Sequence, residues 1–439
     1  VAAGRWLAAL AVLPALHAQS GTEARAEAAF QKFWAADSPA VAARAADDVV
    51  KSGVGFDYAL RRLKQGRAYA AAKDGVAQMS NRTSDGIEHY FAVTVPAGYD
   101  PAKRYQVRFQ LHGGVGGRTD NKPRGNGQIG TLAGDVPGGD GQFYVVPYAW
   151  NDAPWWSDDQ ALNLRAIVDA LKRKYNIDEN RVVVAGVSDG GTGAYYIAMR
   201  DTTPYASFLP LNGYIMVLAN GEIDDGLNFP NNLRNKPMFV INGGKDRLYP
   251  ISIVEPYTRH LMKNGVQIAY YPQPEGQHNT AWWPEMKDPF EKFVADHPRD
   301  PDPDKLTWEA ADAAHNRAHW LVIDAFGSVP GEPKTLANTN LFTDSLGTDP
   351  LFGRPKVPGR VDLTRSGNSV QASTKGVTAF TLLLSPEKFD FSQPVKVTAN
   401  GREVFNARVQ PSLDTLLKWA ARDNDRTMLY AAEVRIRLK

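Results

Sequence analysis

Residues 182–200 constrain this chain more than any other stretch; they read V-V-V-A-G-V-S-D-G-G-T-G-A-Y-Y-I-A-M-R. The β-branched run at 182–184 suits a buried strand. It stops at Gly186, a turn of small residues follows, and an Ala/Tyr/Ile/Met stretch then suits a helix. Inside the turn lies Gly186-Val187-Ser188-Asp189-Gly190, a G-x-S-x-G pattern. Between a strand and a helix, that pattern sets a serine at the tip of a tight, strained turn. Glycines two residues before and after it leave room where the backbone folds over itself. The N-terminus of the following helix favours negative charge developing at the serine. A plain turn with an incidental serine is the alternative, and the strand before and the glycine-rich helix start after weigh against it.

The rest of the central chain alternates strand and helix. Residues 87–95, 105–111, 143–147, 208–211, 237–242 and 266–271 read as strands, and 162–175, 251–264 and 289–295 as helices. Such alternation predicts a doubly wound, mostly parallel α/β sheet. A length of 439 residues exceeds one ordinary domain, and 43% hydrophobic against 22% charged residues allows a real core. A net charge of +2 gives no reason to expect nucleic acid or an acidic membrane as partner. The absence of cysteine excludes disulfides, thiolate-held metal and a lipidated cysteine.

The apolar run at residues 6–16, with Arg5 before it and His17-Ala18-Gln19-Ser20 after it, predicts a signal peptide over 1–19 and a secreted or periplasmic protein. No other run is long and apolar enough to span a bilayer. Residues 20–80 predict a helical accessory segment, broken near Ser38-Pro39 and at 53–55. The α/β catalytic domain is expected over 81–297. Proline and charge mark 298–306 as a linker. Residues 307–439 predict a β-rich, sandwich-like domain with a hairpin turn at Asn400-Gly401 and a short helix at 413–421.

A serine hydroxyl becomes a nucleophile when a base takes its proton, and the base needs an acid to fix its tautomer. On a parallel sheet these groups belong at strand carboxyl ends. Ser188, Asp246 and His278 occupy three such ends, in the order Ser, Asp, His. That order is the one found on α/β-hydrolase sheets. Asp224 and Asp225 are rival acids, but they lie in a polar loop with no strand before it. His260 lies in a helix and His297 beside the linker. The loop His112-Gly113-Gly114-Val115-Gly116-Gly117 follows a strand and can offer backbone N–H groups to an oxyanion. The expected donors are Asp189 N–H and one from this loop, with Gly114 and Val115 both open. Trp155, Trp156, Trp282 and Trp283 are expected to rim an aromatic-friendly cleft, although ordinary packing accounts for them equally well. His315 and His319 have a spacing that chelates metal on a helix, but their neighbours suggest a hairpin, so no metal and no cofactor are expected.

The pieces L-H-G-G-V-G-G, G-V-S-D-G-G, N-G-G-K-D-R-L-Y-P and G-Q-H resemble those of an α/β-hydrolase. More narrowly, together with Y-N-I-D-E-N-R-V before the serine, they are similar to secreted bacterial esterases of the polyhydroxybutyrate-depolymerase and feruloyl-esterase type. The resemblance covers residues 85–297. It implies hydrolysis of a small-molecule or polymeric carboxylic ester through an acyl-enzyme, without metal. The chain departs from that group in lacking its stapling cysteines and in its helical prefix and β tail. A serine peptidase of the prolyl-oligopeptidase kind and a non-catalytic binding protein are the other readings.

Overall fold

The computed structural model describes residues 9–83, 86–122, 141–327, 337–340, 345–352 and 356–438. The chain divides into two compact units. One comprises the described residues up to Ala68 with Leu383–Val395 and Ala407–Val434; the other comprises Tyr69–Leu382, Lys396–Asn406 and the described residues from Arg435.

In the first unit, helices α1 (Ala9–Ala35), α2 (Pro39–Lys51) and α3 (Phe56–Gln65) break where the sequence suggests. Ser38 caps α2 by accepting the Val41 N–H, and Pro39 sits in the first turn, where its missing N–H is harmless. Residues 9–19 of the expected signal peptide belong to α1. Residues 1–8 lie outside the described residues.

The second unit is built on a sheet of eight strands: β1 (Gly75–Arg82), β2 (Glu88–Val95), β3 (Tyr105–Leu111), β4 (Phe143–Pro147), β5 (Ile177–Val187), β6 (Ser207–Leu211), β7 (Met238–Gly243) and β8 (Ile268–Gln273). Their spatial order is β1-β2-β4-β3-β5-β6-β7-β8. All neighbours from β4 to β8 run parallel; β2 is antiparallel to both β1 and β4. Helices α4 (Asp158–Lys174), α5 (Asp189–Arg200), α6 (Ile251–Lys263) and α7 (Trp283–Asp296) follow in the chain.

Strand β5 shows why the sheet is covered on both sides. Val182 and Val184 join a core with Leu164 and Ile167 of α4, Ile197 of α5 and Leu261 of α6. Val183 and Ala185 join another with Trp283, Phe290 and Phe293 of α7. Alternate side chains point to opposite faces, so a strand that is apolar at every position must be buried twice. Strand β1, absent from the sequence reading, is an edge strand with at most half-buried side chains, so it carries no apolar face to read.

Besides a two-stranded pair, Ala337–Asn340 with Ser345–Pro350, the tail forms two larger sheets among the described residues. One runs Arg402–Ala407, Val395–Ala399, Ser369–Lys375, Gly359–Ser366, Lys305–Ala310; the other runs Arg317–Ala318, Leu321–Phe326, Val377–Leu384, Ala432–Arg437. Asn400 and Gly401 turn between two of these strands with φ of 49° and 79°, the left-handed values that an Asn-Gly hairpin needs. Residues 298–306 do not hang free as a linker. Arg299 is 4% exposed and donates to Asn180 Oδ1 and Thr203 O, because a buried guanidinium is tolerated once its donors are matched. Strand Lys305–Ala310 is then held by Asn232, whose side chain accepts Glu309 N–H and donates to Glu309 O.

Helix α8 (Leu413–Asp423) does not belong with these sheets. Leu416, Leu417, Ala420 and Ala421 share a core with Phe30, Phe33, Val49 and Leu63 of α1–α3. The helical unit is therefore assembled from two distant parts of the sequence.

Candidate active site

Ser188 sits between β5 and α5 with φ 58° and ψ −120°, outside the ordinary regions for a non-glycine residue. Its neighbours make the bend feasible. A Cβ on Gly186 would lie 2.1 Å from Gly190 O, and one on Gly190 would lie 2.0 Å from Leu111 O at the end of β3. Ser188 N–H donates to Leu211 O at 2.9 Å, tying the turn to β6. The backbone thus holds Ser188 at the carboxyl edge of the sheet.

Asp246 follows β7, and His278 follows β8. The two loops pack backbone to backbone: Lys245 N–H donates to Gly276 O at 2.8 Å, and side chains on Gly243 or Gly244 would strike the carbonyls of Gly276 and Pro274. The Asp246 side chain is fully buried. Its Oδ1 accepts the N–H groups of Leu248 and Tyr249 at 2.8 and 2.9 Å. Its Oδ2 lies 2.7 Å from His278 Nδ1, and His278 Nε2 lies 2.7 Å from Ser188 Oγ. With Nδ1–H donated to the carboxylate, Nε2 is left to accept the serine proton. The His278 side chain keeps 24% of its surface exposed, so the relay is reachable from outside.

The glycine-rich loop approaches from β3. A Cβ on Gly113 would lie 2.8 Å from Ser188 Cβ, so only glycine fits against that side chain. Gly114 takes φ 67°, a left-handed value. His112 anchors the loop. Its Nε2 accepts Ala149 N–H at 3.1 Å, which leaves Nδ1 to carry the proton and donate to Gly113 O at 2.9 Å. Burial holds the imidazole neutral, with its pKa pushed down to about 4. The loop's other tie is Trp155, whose Nε1–H donates to His112 O at 2.7 Å.

A serine on a strand-to-helix bend, an acid after β7 and a histidine after β8 complete the pattern. The chain has the α/β-hydrolase fold. No known family profile matches this chain. The probable feruloyl esterase C of Aspergillus terreus (strain NIH 2624 / FGSC A1156) is 27% identical to it over 183 residues, 41% of this chain and 63% of that protein. The chain thus spans less than two thirds of that curated relative. Solved structures similar to it include a thermostable esterase (20% identity, TM-score 0.43, covering 51% of this chain and 63% of that one). Another is the S-formylglutathione hydrolase of Staphylococcus aureus (14% identity, TM-score 0.39, 51% and 99%). A third is the acylaminoacyl peptidase of Pyrococcus horikoshii (14% identity, TM-score 0.40, 52% and 42%).

Two expectations about the site need correction. Val115 N–H is not open to an oxyanion, because it donates to Asp189 Oδ2 at 2.8 Å; of the two candidates, this leaves Gly114. Trp155, Trp282 and Trp283 do not rim a cleft, being 0%, 5% and 2% exposed and packed in the cores. Trp156 is only partly buried and leans on the same core as Trp155. The apolar surface beside the histidine comes instead from Tyr249, whose ring centroid is 5.6 Å from that of His278, and from Tyr214, 5.7 Å from Tyr249. Tyr249 lies inside the N-G-G-K-D-R-L-Y-P piece, three residues after the acid, which was the available signal.

The rival residues have other partners. Asp225 accepts from Arg200, and Asp224 accepts Gly226 N–H. His319 turns the hairpin at φ 49° and sits near Pro301 O, and His315 meets Asp158 and Asp312. Among the described residues no group of three or more His, Asp or Glu is placed to hold a metal ion. Asn212 was missed by the sequence reading: at φ 49° after β6, it donates to Asn279 O and so steadies the turn that carries His278. Its pairing with Gly213 was the clue, since asparagine tolerates left-handed backbone.

Proposed function

We propose that this α/β-hydrolase is a serine carboxylesterase. The observation that carries the reading is the unbroken relay from Ser188 Oγ through His278 to Asp246, with both nitrogen contacts at 2.7 Å. In this reading His278 Nε2 takes the hydroxyl proton as Ser188 Oγ attacks the ester carbonyl. The new oxyanion is held by the N–H groups of Asp189, at the start of α5, and of Gly114, in the loop after β3. When the tetrahedral adduct collapses, His278 returns the proton to the departing alcohol, leaving an acyl-serine. Water, activated by the same imidazole, releases the acid. Asp246 keeps Nδ1 protonated and stabilises the imidazolium. The name of the Aspergillus relative supports feruloyl-type esters as the first substrates to try, and the tyrosines beside His278 offer a surface for an aryl group. The expected signal peptide would direct the enzyme out of the cytoplasm.

The test is a panel of aryl and alkyl esters and peptide anilides, run with the wild type and Ser188→Ala. A fluorophosphonate probe should label the wild type at Ser188, located by mass spectrometry. Ester turnover should vanish in Ser188→Ala. Turnover that survives this substitution would end the proposal, and cleavage confined to the anilides would make the protein a peptidase.

A further inference from the structure

Asp189 carries two separate functions on one residue, and only one of them belongs to the usual elbow. Its backbone N–H follows the nucleophile and starts α5. Its carboxylate reaches across to the other side of the prospective oxyanion site and accepts Val115 N–H at 2.8 Å. Val115 opens a single 3-10 turn, Val115–Gly117, directly after Gly114. Gly114 takes a left-handed conformation, and a Cβ built on it would meet nothing within 4 Å, so packing does not fix its orientation. Upstream, the loop is pinned by His112 and Trp155. Downstream, the Val115 side chain is buried in the core and Arg118 O accepts Asn151 N–H, while the carboxylate of Asp189 is the acceptor that fixes the Val115 backbone N–H next to Gly114.

We infer that the Asp189 side chain is a positioning residue, a latch that sets the distance between the two oxyanion donors. The inference rests on the esterase reading. Because the latch and the first donor are the same residue, the second donor is referenced directly to the first. A displacement of the glycine-rich loop would open the site by moving Gly114 away from Asp189 N–H. The arrangement also places a carboxylate close to where negative charge develops, which opposes the oxyanion. Asp189 therefore serves as a hydrogen-bond acceptor, not as a charge. An uncharged acceptor of the same shape should do its work.

The experiment compares Asp189→Ala and Asp189→Asn with the wild type, on the best ester of the panel. It measures kcat, KM and inhibition by an aryl trifluoromethyl ketone, which adds to the serine and forms an oxyanion. Thermal melts report folding, and Asp189→Ser replaces the alanine variant if that variant is insoluble. Without the latch, kcat should fall by about ten- to a hundredfold, a fraction of the full loss of one oxyanion donor. KM should stay within about twofold, and ketone affinity should weaken in step with kcat/KM. Asparagine should restore most of the lost kcat, since its Oδ1 can accept Val115 N–H. An alanine variant with wild-type kcat, or an asparagine variant as slow as alanine, would overturn the latch. Failure of the underlying reading looks different: there Ser188→Ala retains turnover.

Discussion

Part of the protein's acid sensitivity should reside at His112. The native imidazole is 2% exposed and neutral, with its pKa pushed from 6.5 to about 4. In the unfolded chain it titrates near 6.5, so between these limits the unfolded state binds one more proton than the native state. A depressed value of this kind gives stability that is complete above 6.5 and lost as pH falls towards 4. The gap of about 2.5 in pH, at about 1.4 kcal/mol each, makes the whole effect about 3.5 kcal/mol. Protonation would also set an Nε2–H against Ala149 N–H, breaking the contact that anchors the glycine-rich loop. The assay is urea unfolding of the wild type and His112→Gln, followed by tryptophan fluorescence at pH 7.5 and pH 4.5. His319 is also buried, and its pKa too lies below its ordinary value, but it is common to both proteins and cancels in the difference. The stability advantage of the wild type over the variant should shrink by about 2 to 3 kcal/mol between the two pH values, at constant m. A difference that changes by less than about 0.5 kcal/mol would refute the claim that native His112 refuses the proton.

Two other positions give sharp expectations. Gly190→Ala places a methyl group 2.0 Å from Leu111 O, so the elbow must open; a loss of about 3 kcal/mol or more is expected in thermal or urea unfolding, with activity gone, and an unchanged midpoint would contradict the packing. Glu309 is buried beside Asn231, with its pKa pushed up from 4.5 to about 7, chiefly by loss of solvent. A raised carboxyl value gives stability that is present below 4.5 and lost as pH rises through 7, so Glu309→Gln should be at least as stable as the wild type at pH 8. A variant clearly less stable there, by denaturant titration, would show that the charged form is the favoured one.

The middle of the eight-stranded sheet was legible because strands such as β6 and β7 are buried on both faces. A run such as 182–184 is apolar throughout, and few other environments accept it. Ser188 and Asp246 were legible as candidates because each follows such a run, and His278 because it follows the next strand, β8. What escaped depends on partners that no local pattern reveals. An indole reads the same whether it faces water or Leu164, so Trp155 looked like a cleft residue. The N–H of Val115 looked open because its acceptor lies far along the chain, in the elbow. The hairpin Gly359–Ser366 with Ser369–Lys375 was passed over, since threonine, arginine and serine alternate there with too few apolar residues to mark a face. The 298–306 segment looked like a tether because Asn180 and Thr203, which bind Arg299, could not be foreseen as neighbours.

The shared core of α1–α3 and α8 bears on how the molecule is made. A ribosome adding about 5 to 20 residues per second releases α1–α3 tens of seconds before it reaches Leu413. Throughout that interval Phe30, Phe33, Val49 and Leu63 lack the leucines of α8 that later cover them. Helices α1–α3 are thus finished only once α8 has been made, and the nascent chain must keep an oily stripe out of trouble until then.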